Sequence, residues 1–94
     1  MKQRRFDSVW DAIEASPAAA ANMKARADLM IALHETIEAW SLSQAAAAKR
    51  LGLTQPRLND LLRGRISKFS LDALMNLAGK AGLTVRLEVT RSAA

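Results

Sequence analysis

The sequence predicts an all-α domain of five helices that ends in one β-strand. Over most of the chain, apolar residues recur at intervals of three and four, which is the spacing of one helical face. Alanine, the strongest helix former, fills residues 18–21 and 45–48. Only residues 84–89, TVRLEV, alternate apolar and polar side chains with the period of two that is typical of a strand.

The first two predicted helices occupy the N-terminal part of the chain. Apolar residues at positions i, i+3, i+4 and i+7 predict a short helix over residues 8–15, and these residues are Phe6, Val9, Trp10 and Ile13. Ser16 then caps a longer helix that begins with Pro17, where the missing N–H costs nothing, and ends near Trp40. The inward stripe of this helix comprises Leu29, Leu33, Ile37 and Trp40.

Two short helices follow, over residues 43–51 and 55–63, and meet at Gly52. A helix that must end in a left-handed residue favours glycine there. Thr54 caps the second short helix, and Ala45 and Ala48 are small enough for another helix to cross closely. The arrangement is a helix-turn-helix at residues 43–63, which presents the start of its second helix at a fixed angle. Its predicted apolar wedge consists of Leu51, Leu53, Leu58 and Leu61.

The last predicted helix covers residues 71–81 and ends at Gly82. This gives an N-terminal arm and short helix (1–15), a helical domain (16–83) and a C-terminal strand and tail (84–94). Because a lone strand leaves its backbone groups without partners, we expect it to pair with the same strand of a second copy. The alternative is a tail that folds back on its own domain or stays disordered. The expected dimer interface consists of Thr84, Val85, Arg86, Leu87, Glu88 and Val89.

Composition excludes several classes of protein. The chain has 94 residues, no cysteine and one histidine, so it forms one domain without a disulfide scaffold or a zinc site. It shows no set of groups for the usual acid, base or nucleophile roles, and we therefore expect no enzyme activity, catalytic residue, metal or cofactor. No apolar run is long enough to span a membrane, and a cytoplasmic location is expected.

Charge is divided between two halves of the chain, whose net charge is +5. Residues 7–40 carry six acidic and two basic side chains. Residues 41–68 carry only Asp60 as an acid, and their basic residues are Lys49, Arg50, Arg57, Arg63, Arg65 and Lys68. The reversal of sign predicts two surfaces for two kinds of partner.

The basic half coincides with the helix-turn-helix, which predicts double-stranded DNA as one partner. Gln55 can pair bidentately with adenine, and Pro56 can contact a thymine methyl. Either Arg57 or Arg63 can pair with guanine. Since each short helix contacts few bases, we expect a dimer on a palindromic operator.

The remaining polar groups of this region have less specific expected roles. Arg65 and Lys68 follow Gly64 in a loop and are suited to phosphate. Asp60 should repel phosphate, so it either accepts from cytosine N4, supports the helix dipole, or pairs within the chain with Arg57 or Arg63.

Residues 44–61 resemble the helix-turn-helix of the Cro/C1-type (XRE) repressors, with alanine at position 48, glycine at 52 and leucine at 51, 53, 58 and 61. The chain as a whole is most similar to HigA-type antitoxins, through NMKARADLMIAL, LTQPRLNDLLRGR and the terminal strand pattern. The resemblance implies a compact lambda-repressor-like fold in which Gln44 holds a phosphate, Gln55 reads a base and Asn59 reaches phosphate or sugar. The chain departs from the repressor pattern at Ala47, where a larger apolar residue is common, and at Pro56.

By this resemblance, the expected function is a DNA-binding antitoxin that neutralises a ribonuclease toxin and represses its own operon. The alternative is a stand-alone XRE-family repressor without a toxin partner. The acidic half would dock the basic toxin, because opposite charges speed encounter. Its expected anchors are Phe6, Val9, Trp10 and Ile13, unless these side chains only cover the core of the domain itself.

Overall fold

A computed structural model describes residues 17–91 of the chain. This part contains four α-helices and a single turn of 3₁₀ helix: α1 (Pro17–Trp40), α2 (Gln44–Leu51), α3 (Gln55–Leu62), the 3₁₀ turn (Ile66–Lys68) and α4 (Leu71–Lys80). The four α-helices confirm four of the five predicted helices, and the 3₁₀ turn was not predicted. The helix predicted over residues 8–15, with its four apolar residues and the cap at Ser16, lies outside the described residues.

The long helix α1 packs against α4, α3 and the 3₁₀ turn. Met30, Leu33 and Ile37 are its buried residues, and they repeat at helical spacing along one face. Leu29 and Trp40 are partly buried at the edges of the core. The predicted inward stripe is therefore present, with Met30 added at its centre.

The ends of the helix-turn-helix form as the sequence predicts. Gly52 is left-handed, with φ +70°, and ends α2, while the amide of Leu53 donates to the carbonyl of Ala48 at 2.8 Å. The hydroxyl of Thr54 accepts from the amide of Arg57 at 3.2 Å and caps α3. These contacts use backbone groups that helix ends otherwise leave unpaired, and they fix the angle between α2 and α3.

The two short helices and α4 complete one core. Its members are almost all aliphatic, and no polar side chain is buried among the described residues. The buried residues are Met30, Leu33, Ile37, Ala47, Ala48, Leu51, Leu58, Leu61, Phe69, Leu74, Leu77 and Ala78. Leu53, predicted as part of the wedge, is only partly buried.

The prediction for Ala45 is wrong. Ala45 is exposed, and the alanines that allow close packing are Ala47 and Ala48. They precede Leu51 by four and three residues and therefore share its inward face, whereas Ala45 lies in the exposed first turn of α2. The small side chain of Ala47 borders a cleft of about 130 Å³ beside Leu58, at the position where the repressors commonly carry a larger apolar residue.

The segment that joins α3 to α4 is short and well anchored. Gly64 is left-handed, with φ +71°, the 3₁₀ turn follows, and Phe69 is only 2% exposed. The hydroxyl of Ser70 accepts from the amide of Ala73 at 3.1 Å and caps α4. We call residues 63–69 the basic loop, because its exposed side chains include Arg63, Arg65 and Lys68.

The C-terminal segment does not form the predicted strand in the single chain. Leu83 packs against the core, but residues 84–91 have no regular secondary structure. The physical reason is that no other strand lies in the described part of the chain, so residues 84–89 have no ladder partner. Leu87 is 86% exposed and Val89 is 81% exposed.

Candidate nucleic-acid interface

The start of α3 is the most open part of the helix-turn-helix. Gln55 and Pro56 are its first two residues, and both are exposed. Within residues 17–91 the side chain of Gln55 makes no hydrogen bond, so its amide is free to pair with a base edge. The predicted base-contacting end of α3 is therefore accessible and rigidly held by the cap at Thr54.

Gln44 lies at the equivalent point of α2. It is exposed as the first residue of the helix, directly after Ser43, whose hydroxyl accepts from the amide of Ala46 at 3.1 Å. The positive end of a helix dipole favours an anion at this position. Lys49 and Arg50 are exposed at the other end of α2, where the guanidinium of Arg50 lies over the ring of Trp40 at 4.1 Å.

Asp60 is paired within the chain, but with a partner that the sequence did not indicate. Its carboxylate accepts from Nη1 of Arg65 at 3.3 Å, and its side chain is only 18% exposed. The amide of Arg65 also donates to the carbonyl of Asp60 at 3.0 Å. The expected intramolecular partners were Arg57 and Arg63. Because the left-handed Gly64 turns the chain back after α3, Arg65 reaches the carboxylate instead.

Arg57 lies against the basic loop. Its Nη1 donates to the carbonyl of Lys68 at 2.7 Å, and its guanidinium carbon lies 4.0 Å from the centre of the Phe69 ring. The side chain is half-buried as a result. One of the two arginines predicted to pair with guanine thus contacts its own protein, while Arg63, the other, is exposed at the end of α3.

Arg26 has a structural role that the sequence did not reveal. From α1 its Nη1 donates to the carbonyls of Ile66 at 3.1 Å and Phe69 at 3.3 Å, and its Nε donates to Asn22 at 2.8 Å. The acceptors in the loop are backbone groups about 40 residues away in sequence, and any residue type supplies such groups. No sequence signal could have identified them.

A second surface lies on the outer face of α1, opposite its buried stripe. Four exposed residues follow this face at helical spacing, and they are Asp28, Ile31, Glu35 and Glu38. Ile31 is 58% exposed and places an apolar side chain between the acidic ones. We call these four residues the acidic stripe. Two side chains contact it, since Lys24 pairs with Asp28 at 2.9 Å and Nε2 of His34 lies 3.5 Å from a carboxylate oxygen of Glu38.

Two further features concern residues 17–91 as a whole. None of their helices combines the length and the apolar character that crossing a membrane requires. No three of their acidic, histidine or cysteine side chains lie together as a metal site would need.

The capped pair α2 and α3, with an exposed polar start to α3 and a basic loop beside it, defines a helix-turn-helix DNA-binding protein. A family model described as "Helix-turn-helix domain" matches residues 13–90. A solved structure described as an XRE family transcriptional regulator is 34% identical, covers 80% of this chain and 90% of its own, and superposes with a TM-score of 0.71.

The chain therefore belongs to the XRE family of helix-turn-helix proteins, and it is a DNA-binding transcriptional regulator. No curated protein matches it. Neither of the two matches described above is to an enzyme.

Proposed function

We propose that the protein is a repressor that binds a palindromic operator as a homodimer. The observation that best supports this proposal is the exposed start of α3, held by the Thr54 cap and flanked by the exposed cations of the basic loop. A helix start in this position fits the major groove, and cations beside it meet the phosphates.

In this proposal Gln55 pairs with adenine and Pro56 contacts a thymine methyl, because both lie exposed at the start of α3. Gln44 binds phosphate at the start of α2. Arg63 is eight residues beyond Gln55, which corresponds to about 12 Å along the helix axis. At that distance from the base-contacting end, Arg63 is better suited to phosphate than to guanine. We assign Asn59 to phosphate or sugar by the family resemblance, and Arg65 and Lys68 to phosphate because they are exposed in the basic loop.

The C-terminal segment supports the dimer. An open cleft of about 530 Å³ lies between α1, α4 and this segment, and its apolar wall includes Leu29 and Met75. Leu87 and Val89, which are largely exposed in the single chain, would be covered if residues 84–89 of two copies paired antiparallel about a two-fold axis. Such a dimer would hold two α3 helices about 34 Å apart, the spacing of successive major grooves on one side of the duplex.

Substitution of Gln55 separates base contact from phosphate contact. We expect Gln55→Ala to lower affinity for the preferred duplex by about 1 to 3 kcal/mol and to relax selectivity at one base pair of each half-site. We expect Lys68→Ala, the matched control, to weaken all duplexes alike and to reduce the slope of log affinity against log salt by about two, which is about one for each copy in the dimer. The measurement is fluorescence anisotropy with a duplex selected by the wild-type protein and its single-base variants, over a range of salt concentrations.

The assignment of Gln55 would be wrong if Gln55→Ala changed affinity for all duplexes by the same factor. The broader proposal would be wrong if the wild-type protein selected no common sequence from a randomised duplex library. Uniform, strongly salt-dependent binding would then identify a non-specific DNA-binding protein.

Within this class we propose the antitoxin role, in which the acidic stripe of α1 docks a basic ribonuclease. The charge of the stripe is complementary to a protein that must itself bind RNA. Ile31 supplies an exposed apolar contact at its centre. The predicted anchors Phe6, Val9, Trp10 and Ile13 remain part of this proposal, although they lie outside the described residues.

The test uses the protein encoded by the gene adjacent to that of the regulator. If it is the toxin, we expect Glu35→Lys to weaken the complex about tenfold, mainly through slower association at low salt. Asp72→Lys, an equal charge change on the exposed start of α4, should leave the complex unchanged. Calorimetry with a variant that lacks residues 1–15 measures how much the N-terminal anchors contribute to the free energy of toxin binding. If Glu35→Lys, Asp72→Lys and the variant that lacks residues 1–15 all bound the toxin equally well, the proposed docking surface would be wrong. If the wild-type protein formed no complex with the adjacent gene's product, the stand-alone repressor would be favoured.

A further inference from the structure

We propose that Arg57 is a positioning residue and not a base-contacting residue. In this proposal, which rests on the proposed DNA-binding function, Arg57 and Arg26 together clamp the basic loop so that its cations meet the DNA backbone. Arg57 then has a different role from the guanine contact that its place in the sequence suggests.

The clamp consists of two guanidinium groups from two different helices. Arg26 of α1 donates to the carbonyls of Ile66 and Phe69, and Arg57 of α3 donates to the carbonyl of Lys68. Three carbonyls of one seven-residue loop are therefore bound by arginine side chains. Phe69 is buried next to these hydrogen bonds, and the guanidinium of Arg57 lies over its ring.

These interactions hold the guanidinium of Arg57 against the basic loop, although only one of its five N–H groups is used there. Bidentate pairing with guanine needs the guanidinium to direct two N–H groups at O6 and N7 of the base. In the structure Nη1 already donates at 2.7 Å to the carbonyl of Lys68, and the plane of the group covers Phe69. If the side chain of Arg57 turned toward a base, its charge-assisted hydrogen bond to the carbonyl of Lys68 and its cation–π contact with Phe69 would be lost. The ring of Phe69 would then be uncovered.

The clamp acts on the groups that we assign to phosphate. The carbonyl that Arg57 binds belongs to Lys68, and the loop is held to α3 a second time through the two hydrogen bonds between Arg65 and Asp60. The base-contacting start of α3 and the basic loop are consequently connected as one rigid unit. Since phosphate contacts set the register of a protein on DNA, a loosened loop would weaken binding to every sequence.

The experiment compares Arg57→Ala and Arg57→Lys with Arg63→Ala. Arg63 makes no clamp contact but is itself assigned to phosphate, so this variant is the control for hydrogen exchange. Binding is measured with the duplex selected by the wild-type protein and with its single-base variants. We expect Arg57→Ala to weaken all duplexes by the same factor of about ten. Arg57→Lys should restore only part of the affinity, because an ammonium keeps the charge but not the planar face. The double variant Arg57→Ala with Lys68→Ala should lose less than the product of the two single losses, since both act through the loop.

Hydrogen exchange of the loop amides in the DNA-free protein provides a readout that does not depend on DNA. We expect Arg57→Ala to speed exchange of the Phe69 amide, which donates to Ile66 at 3.2 Å, and Arg63→Ala to leave it unchanged. Unchanged exchange in Arg57→Ala would overturn the clamp, and loss of selectivity at one base pair would restore Arg57 as a base-contacting residue. Failure of the wild-type protein to select any duplex would instead overturn the proposed function, and the assigned purpose of the clamp with it.

Discussion

Truncation after Leu83 is expected to produce a folded monomer that binds the operator at least about 100-fold more weakly than the full chain. Leu83 is kept because its amide donates to Ala78 at 2.9 Å and its side chain packs against the core. Of the residues removed, those that the structure describes (84–91) contribute no buried side chain, so the helical domain should remain folded. They carry the exposed Leu87 and Val89, which the proposed dimer would cover. Without the dimer, each copy of the protein binds its half-site of the operator independently, and the gain in affinity from linking two α3 helices is lost.

Sedimentation equilibrium and anisotropy on the same samples test this expectation. Leu87→Asp in the full chain should reproduce the truncation, because a buried charge at an interface costs far more than one in water. Arg91→Ala, a change beyond the predicted strand, is the matched control and should leave the dimer intact. A truncated protein that stays dimeric at micromolar concentration and still binds the operator would show that residues 84–89 are not the interface.

The second large effect concerns the stability of the domain core around α3. We expect Leu58→Ala to lower the free energy of unfolding by about 2 to 5 kcal/mol. Leu58 is fully buried and lies on α3 facing the core, so its truncation leaves a cavity that the surrounding helices cannot fill without moving. The loss would be a large share of the roughly 5 to 15 kcal/mol that stabilises a typical domain.

Leu62→Ala is the matched control on the same helix. Leu62 is only partly buried and borders two open clefts, so its truncation should cost clearly less. Urea unfolding followed by circular dichroism measures both variants. Equal destabilisation by the two substitutions would contradict the structure, because it would place Leu62 as deep in the core as Leu58.

Local signals in the sequence were sufficient for the helices and their ends. The left-handed conformation at Gly52 and the cap at Thr54 each depend on groups within a few residues, and such patterns are visible in the sequence. The burial of Leu33, Leu51, Leu58 and Leu61 follows from helical spacing alone. The exposed positions of Gln44 and Gln55 follow from their place at helix starts.

The sequence was less informative where identical residues of one helix face different directions, or where the partner of a segment is not adjacent in sequence. Ala45 and Ala47 have the same side chain, and only the packing of α2 decides that Ala47 is the one inside. The alternating pattern of residues 84–89 indicates a strand correctly only if a second strand is present, and a strand cannot supply its own ladder.

Several features follow from the sequence alone: the four α-helices of residues 17–91, the cap at Thr54, the turn at Gly52, the basic character of residues 41–68 and the membership of a DNA-binding class. Tertiary structure decided the roles of the charged side chains. Arg57 binds the carbonyl of Lys68, Asp60 pairs with Arg65, and Arg26 reaches the loop from α1. A long, flexible charged side chain contacts whichever acceptor the fold brings within reach, and many of these acceptors are backbone carbonyls that no residue type marks. Their identity therefore depends on the path of the whole chain and not on any local pattern.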